Sequence, residues 1–348
     1  MTAATTSTDP PSAGTLKVVL NLHLGADVRI AVSETTLSTL RSRFPGVAFV
    51  GADDRATLAR EARDADVFYG FEFPAELVAD APRLRWIQSI SAGIERNLAP
   101  EIVARRIAVT NGAGIAAIGI AEHVVAVMLM FCRNFHVAGR LQAAGRWDRP
   151  TIMAGTGTPI REFVGSRVGV IGLGPIGAAV AERSAALGAI VRGMRRHPPA
   201  TAAPPYEAVV GPGRLDDVLG WADFIVLAVP HTPETERMIG ARELGLMRTE
   251  AYLVNVARGS VIDEDALVDA LRTGHIAGAA LDVVTREPLP ATSPLWTLPN
   301  VILTPHAAGA TPRYFDRALE LFIENLDRFL AGRPLRNLVD PALGYPRS

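Results

Sequence analysis

Three polar residues stand just beyond apolar, β-rich runs: Arg258 in Val254-Asn-Val-Ala-Arg258-Gly-Ser, Glu287 in Asp282-Val-Val-Thr-Arg-Glu287-Pro-Leu-Pro, and His306 in Leu303-Thr-Pro-His306-Ala-Ala-Gly. An arginine beside a glycine can hold a carboxylate through two parallel, charge-assisted hydrogen bonds. A histidine is suited to moving a proton near neutral pH, and a carboxylate next to it stabilises the imidazolium and fixes the ring. Singly, Arg258 would suit a surface turn, His306 a hydrogen-bonded turn and Glu287 a solvated acid. As a set they are equipped to bind a carboxylate and to exchange a proton beside it.

A fourth feature supplies a place for an anion. Gly172-Leu-Gly174-Pro175-Ile176-Gly177 directly follows the apolar run Val168–Ile171 and directly precedes the helical run Ala178–Leu187. In that setting Gly172 makes the tight turn, Gly174 lets the backbone approach a pyrophosphate, and Gly177 lets helix and strand pack closely. Pro175 lacks an N–H that the first helical turn would leave unpaired anyway. The remaining N–H groups and the helix dipole face an anion, so the loop is expected to bind a dinucleotide.

These residues need a scaffold that gathers strand ends at one edge. From Leu16 the chain alternates β-rich runs (Lys17–Asn21, Val47–Val50, Asp66–Gly70, Arg85–Ser89, Ile107–Thr110) with helical ones such as Glu34–Arg43 and Arg55–Asp64. A second series has strands at Val168–Gly172, Ala189–Met194, Phe224–Val229, Ala251–Val256, Ala277–Val283 and Asn300–Thr304. Such alternation predicts α/β units, each a doubly wound parallel sheet covered on both faces. Ligands then bind outside the carboxyl ends of the strands, the edge where the glycine loop, Arg258, Glu287 and His306 all fall. Ile115–Arg140 reads as one long helix between the units, and Leu141–Val164 as an irregular arm. A helix near Asp263 has its N-cap there and its end at Gly274, and Pro312–Ala331 is helical.

Bulk composition excludes several classes. The 348 residues exceed one compact core and suit two domains. With 35 basic and 36 acidic residues there is no charge bias toward nucleic acid or membrane. Residues 1–14 read as a disordered tail rather than a signal peptide, and Glu122 and His123 interrupt the most apolar segment, which suits a buried helix better than a membrane span. The single Cys132 has no partner for an intrachain disulfide, so a reducing, cytoplasmic setting is expected.

Taken in order, the motifs resemble those of the D-isomer-specific 2-hydroxyacid dehydrogenase family. They are Ile87-Gln-Ser-Ile-Ser-Ala92-Gly93-Ile, Val109-Thr-Asn-Gly, Ala121-Glu-His123, the glycine loop, Val254–Gly259, Gly278-Ala-Ala-Leu-Asp282, Glu287-Pro-Leu-Pro, Ser293-Pro-Leu-Trp296 and Thr304-Pro-His306. The resemblance implies a flavodoxin-like catalytic domain (15–114 and 307–348) and an inserted Rossmann domain for the dinucleotide (115–306). It implies that Arg258 binds the substrate carboxylate and polarises its carbonyl, His306 exchanges the proton and Glu287 supports His306. Ala92 and Gly93 would receive the carboxylate through their backbone. Val256, Ala257 and Asp282 would line the cofactor, with Asp282 on the nicotinamide amide. The long helix and arm would form a two-fold homodimer. The implied reaction interconverts a small 2-oxo acid, such as hydroxypyruvate or glyoxylate, and its D-2-hydroxy acid.

One departure bears on the cofactor. An acid usually closes the second strand of an NAD-binding unit and accepts hydrogen bonds from the adenosine ribose. Here the eighteenth residue after Gly177 is Arg195, followed by Arg196. Two guanidinium groups suit a 2′-phosphate, so NADP is expected, with NAD possible. Formate dehydrogenases are similar but resemble a glutamine version of the Glu-His pair, against which Glu287 stands. Phosphite dehydrogenases, which keep the acid, and dinucleotide-sensing scaffolds like the C-terminal-binding corepressors stay open as alternatives.

Overall fold

The computed structural model describes residues 15–23, 30–341 and 343–346; the N-terminal tail expected at 1–14 lies outside them. In chain order the elements are β1 (Leu16–Asn21), α1 (Glu34–Arg43), β2 (Val47–Gly51), α2 (Arg55–Ala62), β3 (Val67–Gly70), β4 (Trp86–Ser89), α3 (Pro100–Ala104) and β5 (Ala108–Thr110). There follow α4 (Ala117–Cys132), α5 (Phe135–Ala143), α6 (Arg149–Ala154), β6 (Arg167–Ile171), α7 (Pro175–Ala186), β7 (Ile190–Met194), β8 (Tyr206–Val210), α8 (Leu215–Trp221) and β9 (Phe224–Leu227). The chain continues with α9 (Ala241–Leu246), β10 (Tyr252–Asn255), α10 (Glu264–Arg272), β11 (Gly278–Leu281), β12 (Val301–Leu303), α11 (Tyr314–Leu330), β13 (Val339–Asp340) and β14 (Tyr345–Pro346).

Two compact units result: Met1–Ile115 with Pro312–Ser348, and Ala116–Thr311. These bounds fall slightly C-terminal to the expected 114/115 and 306/307 divisions. In the first unit the parallel strands run in the order β2-β1-β3-β4-β5, the flavodoxin-like arrangement. Its faces are filled from opposite sides of the strands: Val18, Leu20, Val67 and Tyr69 pack with Phe322 and Leu326 of α11, whereas Val19 and Phe68 pack with Leu58 and Ile102.

In the second unit seven parallel strands run β12-β11-β10-β9-β6-β7-β8. Successive side chains of a strand point to opposite faces, and the central strands meet that requirement with runs of apolar residues such as Val168–Ile171 and Phe224–Leu227. Ile225, Leu227, Leu253 and Leu281 pack with Val218, Leu244 and Leu267; Val168, Val170, Val226 and Val254 pack on the other face with Val124, Met128 and Val180. Burying one such side chain contributes roughly 1.5–3 kcal/mol. The order reverses between β6 and β9, a switch point that opens a crevice at the carboxyl end of β6, where the glycine loop lies.

The structure corrects the single helix expected over Ile115–Arg140. α4 and α5 are separate and bent by 74° at a break between Cys132 and Phe135. Asn134 there is left-handed (φ 54°), a conformation asparagine tolerates better than most residues. Its buried Nδ2 donates to the carbonyls of Ile152 (3.0 Å) and Thr158 (3.1 Å), tying the arm back to the helix end. The arm itself is not wholly irregular. α6 forms in it because Asp148 caps the first turn by accepting from Thr151 N (3.1 Å) and Pro150 suits that turn. Among the described residues no single helix is long and apolar enough to cross a membrane.

Candidate active site

The glycine loop has the geometry its sequence demands. Gly172 has φ 98°, and a Cβ there would lie 2.6 Å from Ala228 O. A Cβ on Gly177 would lie 1.9 Å from Gly172 O, so helix and strand touch where any side chain would separate them. Gly174 meets nothing within 4 Å, leaving open space above the N-terminus of α7, whose first turn has no side-chain cap. Uncapped N–H groups facing open space fit the pyrophosphate of a dinucleotide, with Pro175 and Ile176 forming the first turn.

At the end of β7, the N–H of half-buried Arg195 donates to Val210 O (3.0 Å), fixing the backbone between β7 and β8. Arg196 is exposed, with its guanidinium 3.8 Å from the Glu234 carboxylate. Both sit where the adenosine ribose of a bound dinucleotide would be met, and no acid closes the strand.

Arg258, Glu287 and His306 follow the three adjacent strands β10, β11 and β12. The segment after β10 is fixed by Asn255, whose buried side chain accepts from Ala257 N (3.0 Å) and donates to Arg258 O (3.0 Å). Val256 and Ala257 are buried in this segment. The Arg258 guanidinium donates from Nη1 to Ala257 O (2.8 Å). Gly259 then packs against the segment that carries Glu287, so tightly that a Cβ would lie 1.9 Å from the Val284 carbonyl carbon. Glycine is required there by contact, and the contact brings the Arg258 and Glu287 segments together.

Glu287 and His306 meet directly. His306 Nδ1 and Glu287 Oε2 are 2.8 Å apart, while Glu287 Oε1 accepts from Val284 N (3.2 Å). The His306 side chain is 53% exposed, so its other face is open to a ligand. His306 has φ 51°, a left-handed conformation costing a non-glycine residue about 1–2 kcal/mol, so its surroundings must enforce it.

Asp282, which the family resemblance assigns to the nicotinamide amide, is buried, and its carboxylate lies on the His306 segment. It accepts from Thr304 Oγ1 (2.6 Å), Ala307 N (2.9 Å) and Ala308 N (3.1 Å). Ala92 and Gly93 belong to the other unit, in the segment after β4, where Ala92 O accepts from Asn111 Nδ2 (2.8 Å). Sequence reasoning missed Asn255 and Thr304. The only signal for either was a short polar side chain at a strand end, which is common in turns.

With this geometry in place, similarity to known proteins points the same way. The family model described as "D-isomer specific 2-hydroxyacid dehydrogenase, NAD binding domain" matches residues 125–308. The glyoxylate reductase of Thermofilum pendens is 37% identical over 284 residues, 80% of this chain and 82% of that protein. A D-isomer specific 2-hydroxyacid dehydrogenase family protein from Aeromonas salmonicida has a similar structure (TM-score 0.79, 30% identity), covering 94% of this chain and 100% of its own. A D-isomer specific 2-hydroxyacid dehydrogenase from Xanthobacter autotrophicus, solved with NADPH and MES, matches with a TM-score of 0.78 and 31% identity over 95% of this chain and 100% of its own. An α/β chain with this glycine loop and these relatives belongs to the D-isomer specific 2-hydroxyacid dehydrogenase family.

Proposed function

We propose that this chain reduces a short 2-oxo acid, with glyoxylate as the leading candidate, to the 2-hydroxy acid using NADPH. The observation that carries the reading is the 2.8 Å Glu287–His306 pair, set next to the Arg258 segment on the sheet edge that also bears the glycine loop. The name of the Thermofilum relative supports the substrate class, and the NADPH held by the Xanthobacter relative supports the cofactor.

A bound reduced nicotinamide would supply the hydride for the carbonyl carbon. The residues of the chain do the rest. Arg258 holds the substrate carboxylate and turns the carbonyl oxygen toward positive charge, stabilising the alkoxide as it develops. Glu287 takes the Nδ1 proton of His306 in a hydrogen bond, which leaves Nε2 as the atom that hands a proton to that oxygen. Gly172, Gly174 and Gly177 would let the backbone approach the pyrophosphate of a bound dinucleotide, and Arg195 and Arg196 would hold its 2′-phosphate.

The test is a steady-state screen of glyoxylate, hydroxypyruvate and longer 2-oxo acids with NADPH and NADH. Oxidation of NADPH with a short 2-oxo acid is expected. Absence of oxidation with every acid and both cofactors would overturn the proposal.

A further inference from the structure

His306 is held in a conformation its own sequence disfavours, and the residues on both sides of it are tied to one carboxylate. Asp282 is 6% exposed. Its Oδ1 accepts from Thr304 Oγ1 (2.6 Å) ahead of His306, and from Ala307 N (2.9 Å) and Ala308 N (3.1 Å) behind it. The N–H of His306 itself donates to Asp282 O (2.8 Å). Pro305, between Thr304 and His306, fixes its own φ and adds no donor. A chain pinned before, at and after a residue leaves that residue one direction, and here the direction puts Nδ1 on Glu287.

We propose that Thr304 is a positioning residue for His306, acting through Asp282; the proposal rests on the reading of His306 as the proton donor. Thr304 has a single hydroxyl proton and gives it to Asp282 Oδ1, which leaves its lone pairs to accept. His123 Nε2, on α4, lies 3.4 Å from the same hydroxyl oxygen and is the group placed to donate to it. The line from His123 to Thr304 to Asp282 therefore orients the carboxylate before the two amides reach it. Without the hydroxyl, Oδ1 keeps two amide donors but loses the side-chain donor that sets its plane. The turn that keeps His306 left-handed then loosens, and His306 leaves the line to the substrate oxygen. Asp282 serves poorly as the test site, because the family resemblance also places it against the nicotinamide. Thr304 separates the two roles.

The experiment compares the full-length protein with Thr304→Val and Thr304→Ser. Amide hydrogen exchange is read at Ala307 and Ala308, and kcat and KM are read for the 2-oxo acid and NADPH. In Thr304→Val both amides are expected to exchange faster, and kcat to fall by about tenfold to a hundredfold, the scale of a small misplacement of a reacting group. KM for NADPH should stay within about twofold, and Thr304→Ser should restore both readouts. Unchanged exchange in Thr304→Val would overturn the clamp. Faster exchange with unchanged kcat would overturn its link to catalysis, and failure of serine, which keeps the hydroxyl, to restore the exchange would overturn the hydroxyl as the clamp. Were the unmutated protein inactive on every 2-oxo acid, the proposed function would fall, taking the catalytic link with it, while exchange at Ala307 and Ala308 would still decide whether Thr304 clamps the turn.

Discussion

Glu287 is held by one oxygen and works with the other. Because Oε1 is taken by Val284 N (3.2 Å), Oε2 is left to meet His306 Nδ1 (2.8 Å). A glutamine there cannot copy both bonds with a protonated ring: if its oxygen keeps Val284 N, its NH2 group faces Nδ1, which must then be an acceptor. Glu287→Gln is therefore expected to lower kcat by roughly tenfold to a hundredfold, the worth of one charge-assisted hydrogen bond of about 1.5–3 kcal/mol. KM for NADPH should be little changed. A kcat within twofold of the unmutated protein would remove Glu287 from the mechanism. Arg258, Glu287 and His306 were legible in the sequence because each is charged or titratable and follows an apolar run. Asn255 and Thr304 were not. Their side chains are neutral, and their roles exist only as hydrogen bonds to atoms that folding brings near.

At the scale of elements, the proposed preference for NADPH rests on the end of β7. Arg195 is fixed by its own N–H on Val210 O, whereas Arg196 faces the exposed Glu234 at 3.8 Å, a surface pair worth at most about 1 kcal/mol. In the proposed reading both guanidinium groups would meet the 2′-phosphate of a bound NADPH. Arg195→Asp puts a like charge against the 2′-phosphate and an acceptor opposite the ribose hydroxyls. The ratio of kcat/KM for NADPH over NADH is expected to fall by roughly tenfold or more, since one charged hydrogen bond is lost and a repulsion added. A ratio that favours NADH in the unmutated protein would contradict the assignment. The same strand shows what patterns can and cannot reveal. β7 was legible as an apolar run ahead of charge. Its neighbour β8 was not, because Tyr206–Val210 is a half-exposed edge strand that follows a proline-rich stretch. The α4–α5 break escaped for a related reason: helix-forming residues continue through it, and Asn134 turns only because Ile152 and Thr158 offer it buried carbonyls.

At the scale of the whole molecule, strand and helix alternation was enough to imply parallel sheets, and the position of the glycine loop implied which unit binds the dinucleotide. Burial adds what alternation cannot, namely how stability depends on pH. His136, at the start of α5, is buried; its Nε2 lies 2.9 Å from Thr156 Oγ1 and its ring stands edge-on to Phe131 at 5.1 Å. Phe131 in turn stacks on Tyr252 (4.2 Å), and Tyr252 on Phe224 (5.5 Å), so the imidazole lies against an aromatic column. Burial lowers its pKa to about 4, and the nearby Arg140 charge pushes the same way, against the Met130 backbone carbonyl, which favours the protonated ring. In the unfolded chain the same group titrates near 6.5. Above that value neither state is protonated there and the group leaves stability unaffected by pH. As pH falls from about 6.5 to about 4 the unfolded chain takes up a proton that the folded chain refuses, so stability is lost across that window. The loss is on the order of 3 kcal/mol. His136→Gln keeps a polar atom for Thr156 but cannot titrate. Denaturant midpoints measured from pH 7 to pH 4 should therefore fall more steeply for the unmutated protein than for His136→Gln, even where the variant is less stable at pH 7. Parallel pH dependences for the two proteins would show that acid unfolding is governed by groups other than His136.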